Sequence, residues 1–192
     1  MKTFRDILHT WLFGYLQAIG GILCVTESLK STVITNRDAT PAVINDGRLA
    51  KGSLRESIGS VTTTTGKTTG SKYTLCSVPS SAIVSQILLS CAALGTATAA
   101  DVGVYRNTAD GGAAVDADFF ATAVDLSAAL SNSDITNESG TYTLDKQEQP
   151  LWQAAGMSAD PMTSLDIVVT STATIAAGGL LSLKVRYRDN SN

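Results

Sequence analysis

The last apolar stretch of the chain constrains the fold most strongly. Residues 180–188 read Leu-Leu-Ser-Leu-Lys-Val-Arg-Tyr-Arg, so apolar side chains at 181, 183, 185 and 187 alternate with polar ones. Strand side chains repeat every two residues, whereas helical ones repeat every 3.6. The alternation therefore predicts a strand with one face in a core and the other in water.

A second strand is predicted just upstream. Residues 165–170 are rich in β-branched side chains, and Gly178 and Gly179 supply a turn before the alternation begins. We therefore expect a long antiparallel hairpin over residues 165–187. The apolar face of this hairpin needs a second sheet to cover it.

Turn signals every dozen or so residues divide the middle of the chain into further short strands. A Thr/Gly spacer covers residues 61–72, residues 131–140 read as a loop, and Pro150 starts a short helix that ends at Gly156. The pattern predicts a mainly β fold over residues 61–192, an antiparallel β-sandwich of jelly-roll-like order. Its predicted additional strands are residues 73–78, 83–93, 102–106, 119–126 and 141–144.

The composition narrows the class of partner. The chain has a net charge of −3 and a pI near 5.0, which argues against a nucleic-acid partner because such a partner needs a basic face. Only 16% of the residues are charged, which is compatible with an exterior covered by neighbouring subunits. The three cysteines cannot all pair internally, so we expect neither a disulfide scaffold nor a zinc site.

Residues 1–30 form an apolar extension with helical spacing and a basic start. No small-x-small cleavage site supports a secretory signal, and about 15 apolar residues broken by glycines are too few to span a ~30 Å hydrocarbon core. An amphipathic helix that buries its apolar stripe on a partner or lipid surface stays open. So does a true start near Lys30, with the preceding residues an upstream extension of the reading frame. No membrane partner is expected.

Residues 31–60 are predicted to form an extended arm. The stretch is polar and rich in turn residues, and it cannot bury enough apolar surface to fold alone. A loose tail is one interpretation, and an arm that orders on a neighbouring subunit is the favoured one. The apolar residues that would make its contacts are Val33, Ile34, Val43, Ile44 and Leu54.

The sequence offers no set of catalytic residues. The only histidine, His9, precedes the predicted sandwich, and no serine lies in a Gly-x-Ser-x-Gly motif. Gly66-Lys67-Thr68 is not a phosphate-binding loop, because that motif needs a glycine at position 61, where this chain has valine. We therefore predict a protein that is not an enzyme.

No cofactor or metal site is predicted either. Asp116 and Asp118 lie on one side of an extended stretch, where they form either a calcium or glycosidase pair or a solvated turn. The solvated turn is favoured because no other acidic residues cluster nearby. Trp152 follows Pro150 and Leu151, so a core or subunit contact is favoured over a platform for stacking sugars.

Four stretches together resemble the decoration, or cement, proteins that coat the heads of some tailed bacteriophages. The similarity covers roughly residues 55–188 and rests on the order and spacing of these stretches. The matching residues are 100–105 (Ala-Asp-Val-Gly-Val-Tyr), 115–126 (with Val-Asp-Ala-Asp-Phe-Phe and Ala-Val-Asp-Leu), 149–154 (Gln-Pro-Leu-Trp-Gln-Ala) and the strand at 180–187.

The resemblance implies a non-enzymatic virion protein assembled in the host bacterial cytoplasm. Such a protein sits on the capsid exterior as a homodimer or homotrimer, and it clamps adjacent major capsid subunits against the pressure of the packaged DNA. The arm and Trp152 would then supply capsid or oligomer contacts. The alternative is a carbohydrate- or receptor-binding β-sandwich of a phage tail or secreted protein, which needs exposed aromatic side chains.

Overall fold

The computed structural model describes residues 29–47 and 52–189. The chain divides into two compact units at the bond between Val43 and Ile44. In the first unit, helix α1 covers Thr32–Asp38. It begins at Ser31, whose side-chain oxygen accepts a hydrogen bond from the backbone N–H of Ile34 and so satisfies one of the free donors of the first turn.

The described residues of the second unit form eight strands. A 3₁₀ helix at Thr108–Asp110 precedes β5, and a second one at Leu144–Glu148 leads to the short helix α2 at Leu151–Ala154. The strands are β1 (Ser53–Thr63), β2 (Lys72–Pro79), β3 (Ile83–Cys91), β4 (Ala99–Arg106), β5 (Ala114–Asp125), β6 (Leu130–Asp134), β7 (Ser164–Ser171) and β8 (Gly179–Asp189).

The strands form two four-stranded antiparallel sheets with nested pairing. Strand β1 pairs with β8, β2 with β7, β3 with β6 and β4 with β5, as if one long hairpin were folded over on itself. Pairing of β8 with β3 and of β7 with β4 completes the first sheet, β1-β8-β3-β6, and the second sheet, β2-β7-β4-β5. This is the strand order of a jelly roll, and it confirms the predicted fold class.

The core lies between the two sheets and follows the predicted alternation. In β8, Leu181, Leu183 and Val185 are at most 1% exposed, while the side chains between them face outward. Apolar residues at every second position of β4 and β7 face them from the second sheet: Ala100, Val102, Val104, Leu165, Ile167 and Val169. Burial of these two facing rows is the main source of stability.

One edge of the sandwich closes through backbone contact between β1 and β2. A Cβ added at Gly59 would lie 1.7 Å from the backbone oxygen of Leu75, so only glycine permits the two strands to approach this closely. Beside it, the buried thiol of Cys76 lies 3.4 Å from the backbone oxygens of Ser57 and of Leu183, either of which can accept its one hydrogen. Burial is the main cause of the raised pKa of this thiol.

The predicted extended arm requires a correction. Residues 32–38 are helical, and residues 53–60 belong to β1, which pairs with β8 along its whole length. The prediction missed β1 because its core-facing positions carry small residues such as Ser57 and Gly59, which give no apolar alternation. The predicted apolar helix over residues 1–30 lies almost entirely outside the described residues.

The predicted hairpin over residues 165–187 is also wrong. Both strands exist, but β7 lies in the second sheet and β8 in the first, so they do not pair. Two further assignments fail: residues 130–134 form β6 rather than a loop, and residues 141–144 contain turns and the start of a 3₁₀ helix rather than a strand.

Candidate interaction surfaces

The N-terminal segment carries four of the predicted contact residues. Val33 and Ile34 lie on α1 and are half-buried. Val43 and Ile44 follow in a stretch without regular secondary structure and are 53% and 95% exposed. Two adjacent β-branched side chains in water have apolar surface available to a partner.

The outer face of the first sheet carries a row of exposed apolar side chains. Leu54 and Ile58 point outward from β1, and Leu180 points outward from β8 beside Thr62. The row therefore has an apolar side chain at every fourth residue, about 13 Å apart along the β1–β8 pair. Only Leu54 of the three was predicted as a contact residue. Ile58 carried a usable signal, because it lies four residues after Leu54 and so on the same face.

A polar ladder crosses the same face from edge to edge. The Nε of Arg186 donates to Glu56 at 2.7 Å, its Nη1 donates to the side-chain oxygen of Gln86 at 2.8 Å, and Gln86 donates to Asp134 at 2.8 Å. Each of the four strands contributes one member. The hydrogen bond from Arg186 is the main cause of the lowered pKa of Glu56. Partial burial opposes the shift at Asp134, but hydrogen bonds from Gln86 and Thr136 lower its pKa as well.

A shallow depression lies at one end of this face. It has a volume of about 280 Å³ and is lined by Ser90, Cys91, Ala92, Leu130, Leu180 and Ser182. Its lining combines apolar side chains with serine hydroxyls and has no charged group, which suits an incoming aliphatic side chain better than a charged ligand.

The outer face of the second sheet has buried side chains near its centre, including Tyr105 and Val168. Tyr105 points outward from β4, is only 3% exposed, and its hydroxyl lies 3.0 Å from the hydroxyl of Thr170. The Nζ of Lys72 lies 4.8 Å from the centre of the ring. Gly103 next to it has no side chain, and a Cβ there would lie 2.2 Å from the backbone oxygen of Asp116. None of the described residues that are large, apolar and exposed lies on this face.

Trp152, the sixth predicted contact residue, is half-buried on α2 and packs against the core. Every other aromatic side chain among the described residues is also buried or half-buried. The described surface therefore offers no fully exposed ring on which a sugar could stack, which the carbohydrate-binding alternative requires.

The acidic residues within the described ranges form no recognisable reaction centre. Burial is the main cause of the raised pKa of Asp116, and the neighbouring Asp118 adds to it. A cleft of about 390 Å³ holds Ser80, whose hydroxyl donates to Asp160 at 2.5 Å, but no described histidine lies there to activate the serine. Within residues 29–47 and 52–189, no three His, Cys, Asp or Glu side chains come together as metal ligands do.

No helix in the described part of the chain has the length and apolar character needed to cross a membrane.

Comparison with known proteins gives a match in fold only. The sequence matches no family model, and no curated protein matches it. A chain in the capsid of Ralstonia phage GP4 is similar in structure, with a TM-score of 0.52 and 16% identity over 73% of this chain and 87% of that one. A chain of the cyanophage Pam1 capsid asymmetric unit aligns over 88% of this chain and 100% of that one, with 17% identity and a TM-score of 0.46. The likeness to the GP4 chain shows a shared fold.

Proposed function

We propose that this protein is a structural component of a phage virion that binds the outer surface of the capsid. In this role it clamps adjacent major capsid subunits and performs no reaction. Two findings support the proposal: the sequence resemblance to cement proteins over roughly residues 55–188, and the jelly-roll fold shared with a chain of the GP4 capsid. The observation that carries the binding role is the exposure of Val43 and Ile44.

The contact is assigned to these two residues because of their position and chemistry. Neither residue belongs to a strand or to the buried core, so a partner can cover them without disturbing the core. An exposed ion pair at 2.8 Å joins Lys30, which precedes helix α1, to Asp38 at the end of that helix. The backbone N–H of Val43 donates to the oxygen of Asn36 in the same helix at 3.0 Å, and this local order reduces the entropy that binding through Val43 costs.

Such a clamp would stabilise the capsid by raising the free energy needed to separate its subunits. Packaged DNA pushes the shell outward, and a clip that bridges two subunits opposes that motion. A specific interface commonly buries about 1,200–2,000 Å², but an oligomer that touches several subunits gains through effective concentration. Each individual contact can then be modest.

The test is binding of full-length variants to heads that lack this protein. The double variant Val43→Asp/Ile44→Asp should lose at least about tenfold in occupancy, because burying two carboxylates in an apolar contact is costly. Co-sedimentation with quantitative mass spectrometry measures the occupancy. Leu144→Asp/Met162→Asp is the matched control, since both side chains are exposed, Leu144 at the start of the second 3₁₀ helix and Met162 in the loop before β7. Equal occupancy of the Val43/Ile44 variant and wild type would refute the assigned contact.

A deletion of the N-terminal segment also tests the proposal, and its end point must spare β1. Removing residues 31–57 would delete the first half of β1 and with it the partner of β8. A deletion of residues 31–47 leaves β1 intact. We expect this shorter deletion to keep the sandwich folded, as judged by its thermal transition, and to abolish binding to heads.

A further inference from the structure

The cleft that holds Ser80 has a lining with one carboxylate and no basic side chain. Its volume is about 390 Å³, and it lies between the turn that joins β2 to β3 and the loop before β7. Pro79, Ser80, Asp160 and Thr163 belong to its lining, and Asp160 is the one charged residue there. The cleft therefore carries a negative charge that no lining residue neutralises.

The carboxylate of Asp160 is fixed through one of its two oxygens. The hydroxyl of Ser80, which is 2% exposed, donates to Oδ1 at 2.5 Å, and the backbone N–H of Met162 donates to the same atom at 2.8 Å. Within residues 29–47 and 52–189, no group donates to the second oxygen, Oδ2. The carboxylate is thus held in one orientation and keeps an acceptor for a ligand.

Two hydroxyl groups of the cleft are acceptors as well. A hydroxyl group has one hydrogen and two lone pairs. The hydrogen of Ser80 is used on Asp160, and that of Thr163 is used on Oδ2 of Asp110 at 2.8 Å. Both hydroxyl oxygens therefore have only lone pairs left for a ligand. Together with Oδ2 of Asp160 they give three acceptors beside one negative charge.

We propose that this cleft binds a primary alkylammonium group, carried either by a lysine side chain or by a free amine. An ammonium group has three N–H donors and one positive charge, so it matches three acceptors and one carboxylate. The ring of Pro79 in the lining gives the alkyl stem an apolar surface to pack against.

Other classes of ligand match the cleft less well. A guanidinium group binds a carboxylate best through both oxygens, and Oδ1 of Asp160 already accepts two hydrogen bonds. Calcium takes about six to eight oxygen ligands, commonly from several carboxylates, whereas one carboxylate lines this cleft. An anion would be repelled by Asp160, because no positive charge in the lining offsets it.

The test is a titration of the isolated full-length protein with n-butylamine, followed through the amide NMR signals. The signals of Ser80 and Met162 should shift and saturate, with a dissociation constant on the order of 1 mM. Two further ligands distinguish the sources of the ammonium group. Tighter binding of Nα-acetyl-lysine methylamide than of 1,4-diaminobutane indicates a lysine side chain, and the reverse order indicates a free amine.

Two variants change the acceptors of the cleft. In Asp160→Asn the amide oxygen still accepts from Ser80 and Met162, but an NH₂ group replaces Oδ2, so binding of n-butylamine should weaken at least about tenfold. Thr163→Val removes one acceptor at similar side-chain size and should weaken binding about threefold. Asp145→Asn is the matched control, because Asp145 is an exposed carboxylate on the second 3₁₀ helix and not part of the lining. It should leave the dissociation constant unchanged.

Four results would overturn the proposal. They are the absence of saturable shifts at the cleft, binding that Asp160→Asn leaves intact, an equal loss in Asp145→Asn, and equally tight binding of Nα-acetyl-arginine methylamide. A thermal transition close to that of wild type shows that a variant is folded, and Thr163→Val carries the test if Asp160→Asn does not fold. The inference does not rest on capsid binding, because every measurement uses the isolated protein.

Discussion

The outer faces of the two sheets follow the same rule of alternating residues but form different surfaces. On the second sheet, Tyr105 and Val168 are buried on the outer face, and the hydroxyl of Tyr105 contacts that of Thr170. On the first sheet, a polar ladder binds the four strands together and leaves Leu54, Ile58 and Leu180 exposed beside it. The difference shows that alternation decides which residues enter the core, whereas the residues between them decide what the surface can bind.

The largest expected effect tests how tightly the second face is built. Gly103→Val should destabilise the fold by about 4 kcal/mol or more, because its Cβ would meet the backbone of Asp116 and Ala117 at 2.2–2.3 Å. Ser60→Val on the first face is the control and should change stability by no more than about 0.5 kcal/mol, since its side chain points into solvent. Urea unfolding of both variants measures the difference.

Truncation of the buried Tyr105 side chain should have the next largest effect on stability. Tyr105→Ala should cost about 3 kcal/mol of unfolding free energy through lost burial, and Tyr105→Phe about 1 kcal/mol through the lost contact with Thr170. Ile58→Ala on the first face should leave stability almost unchanged, because Ile58 is 64% exposed. Equal costs for Tyr105→Ala and Ile58→Ala would show that the two faces do not differ as described.

The carboxyl groups of the two sheets should change the free energy of unfolding with pH in opposite directions. Glu56 and Asp134 on the first face have lowered pKa values, so their contributions are present above the ordinary values of 4.5 and 3.8 and are lost as the pH falls through the folded-state values. Asp116 in the second sheet has a raised pKa. Its contribution is present below 3.8 and is lost as the pH rises through its folded-state value.

Stability measured between about pH 3 and pH 7 checks this difference. The double variant Glu56→Gln/Asp134→Asn should lose less unfolding free energy than wild type as the pH falls towards 3. Asp116→Asn should gain stability relative to wild type as the pH rises from 3 towards 7. Identical pH profiles for the two variants would contradict the assigned environments.

The smallest effect concerns the lysines of the two faces. Lys72→Ala should cost about 0.5 kcal/mol, because its ammonium group lies over the ring of Tyr105. Lys184→Ala removes an outward-facing charge that sits above no described ring, and we expect a smaller change. Thermal unfolding at low salt measures the stability of both variants. A larger loss of stability for Lys184→Ala would show that Lys184 on β8 contributes more than its geometry indicates.

Sequence patterns predict a strand correctly when its core-facing side chains are apolar. They miss a strand whose core-facing side chains are small or polar. Strand β8 is predicted because Leu181, Leu183 and Val185 alternate with polar residues. Strand β1 is missed because Ser57 and Gly59 face inward, and a thiol from β2 fills the space that larger side chains would occupy. Strand β6 is missed because residues 131–134 read Ser-Asn-Ser-Asp, a composition typical of turns.

Pairing is harder to predict than strand location. The chain from β7 to β8 is short enough for a hairpin, and nothing in its residues shows that it crosses from one sheet to the other. The candidate surfaces show the same contrast between what the sequence predicts and what only the strand pairing reveals. Exposure of Val43, Ile44 and Leu54 agrees with the isolated apolar residues seen in the sequence, whereas Leu180 gains its meaning only from its place beside β1. Their roles in binding stay predictions.

Quantitative mass spectrometry of purified virions, combined with labelling of surface lysines on intact particles, tests the central claim most directly. The account predicts that the protein is present in many copies per particle, and that the exposed Lys67 and Lys72 are labelled without opening the shell. Absence of the protein from virions, or its presence only in broken particles, would contradict a role on the capsid exterior.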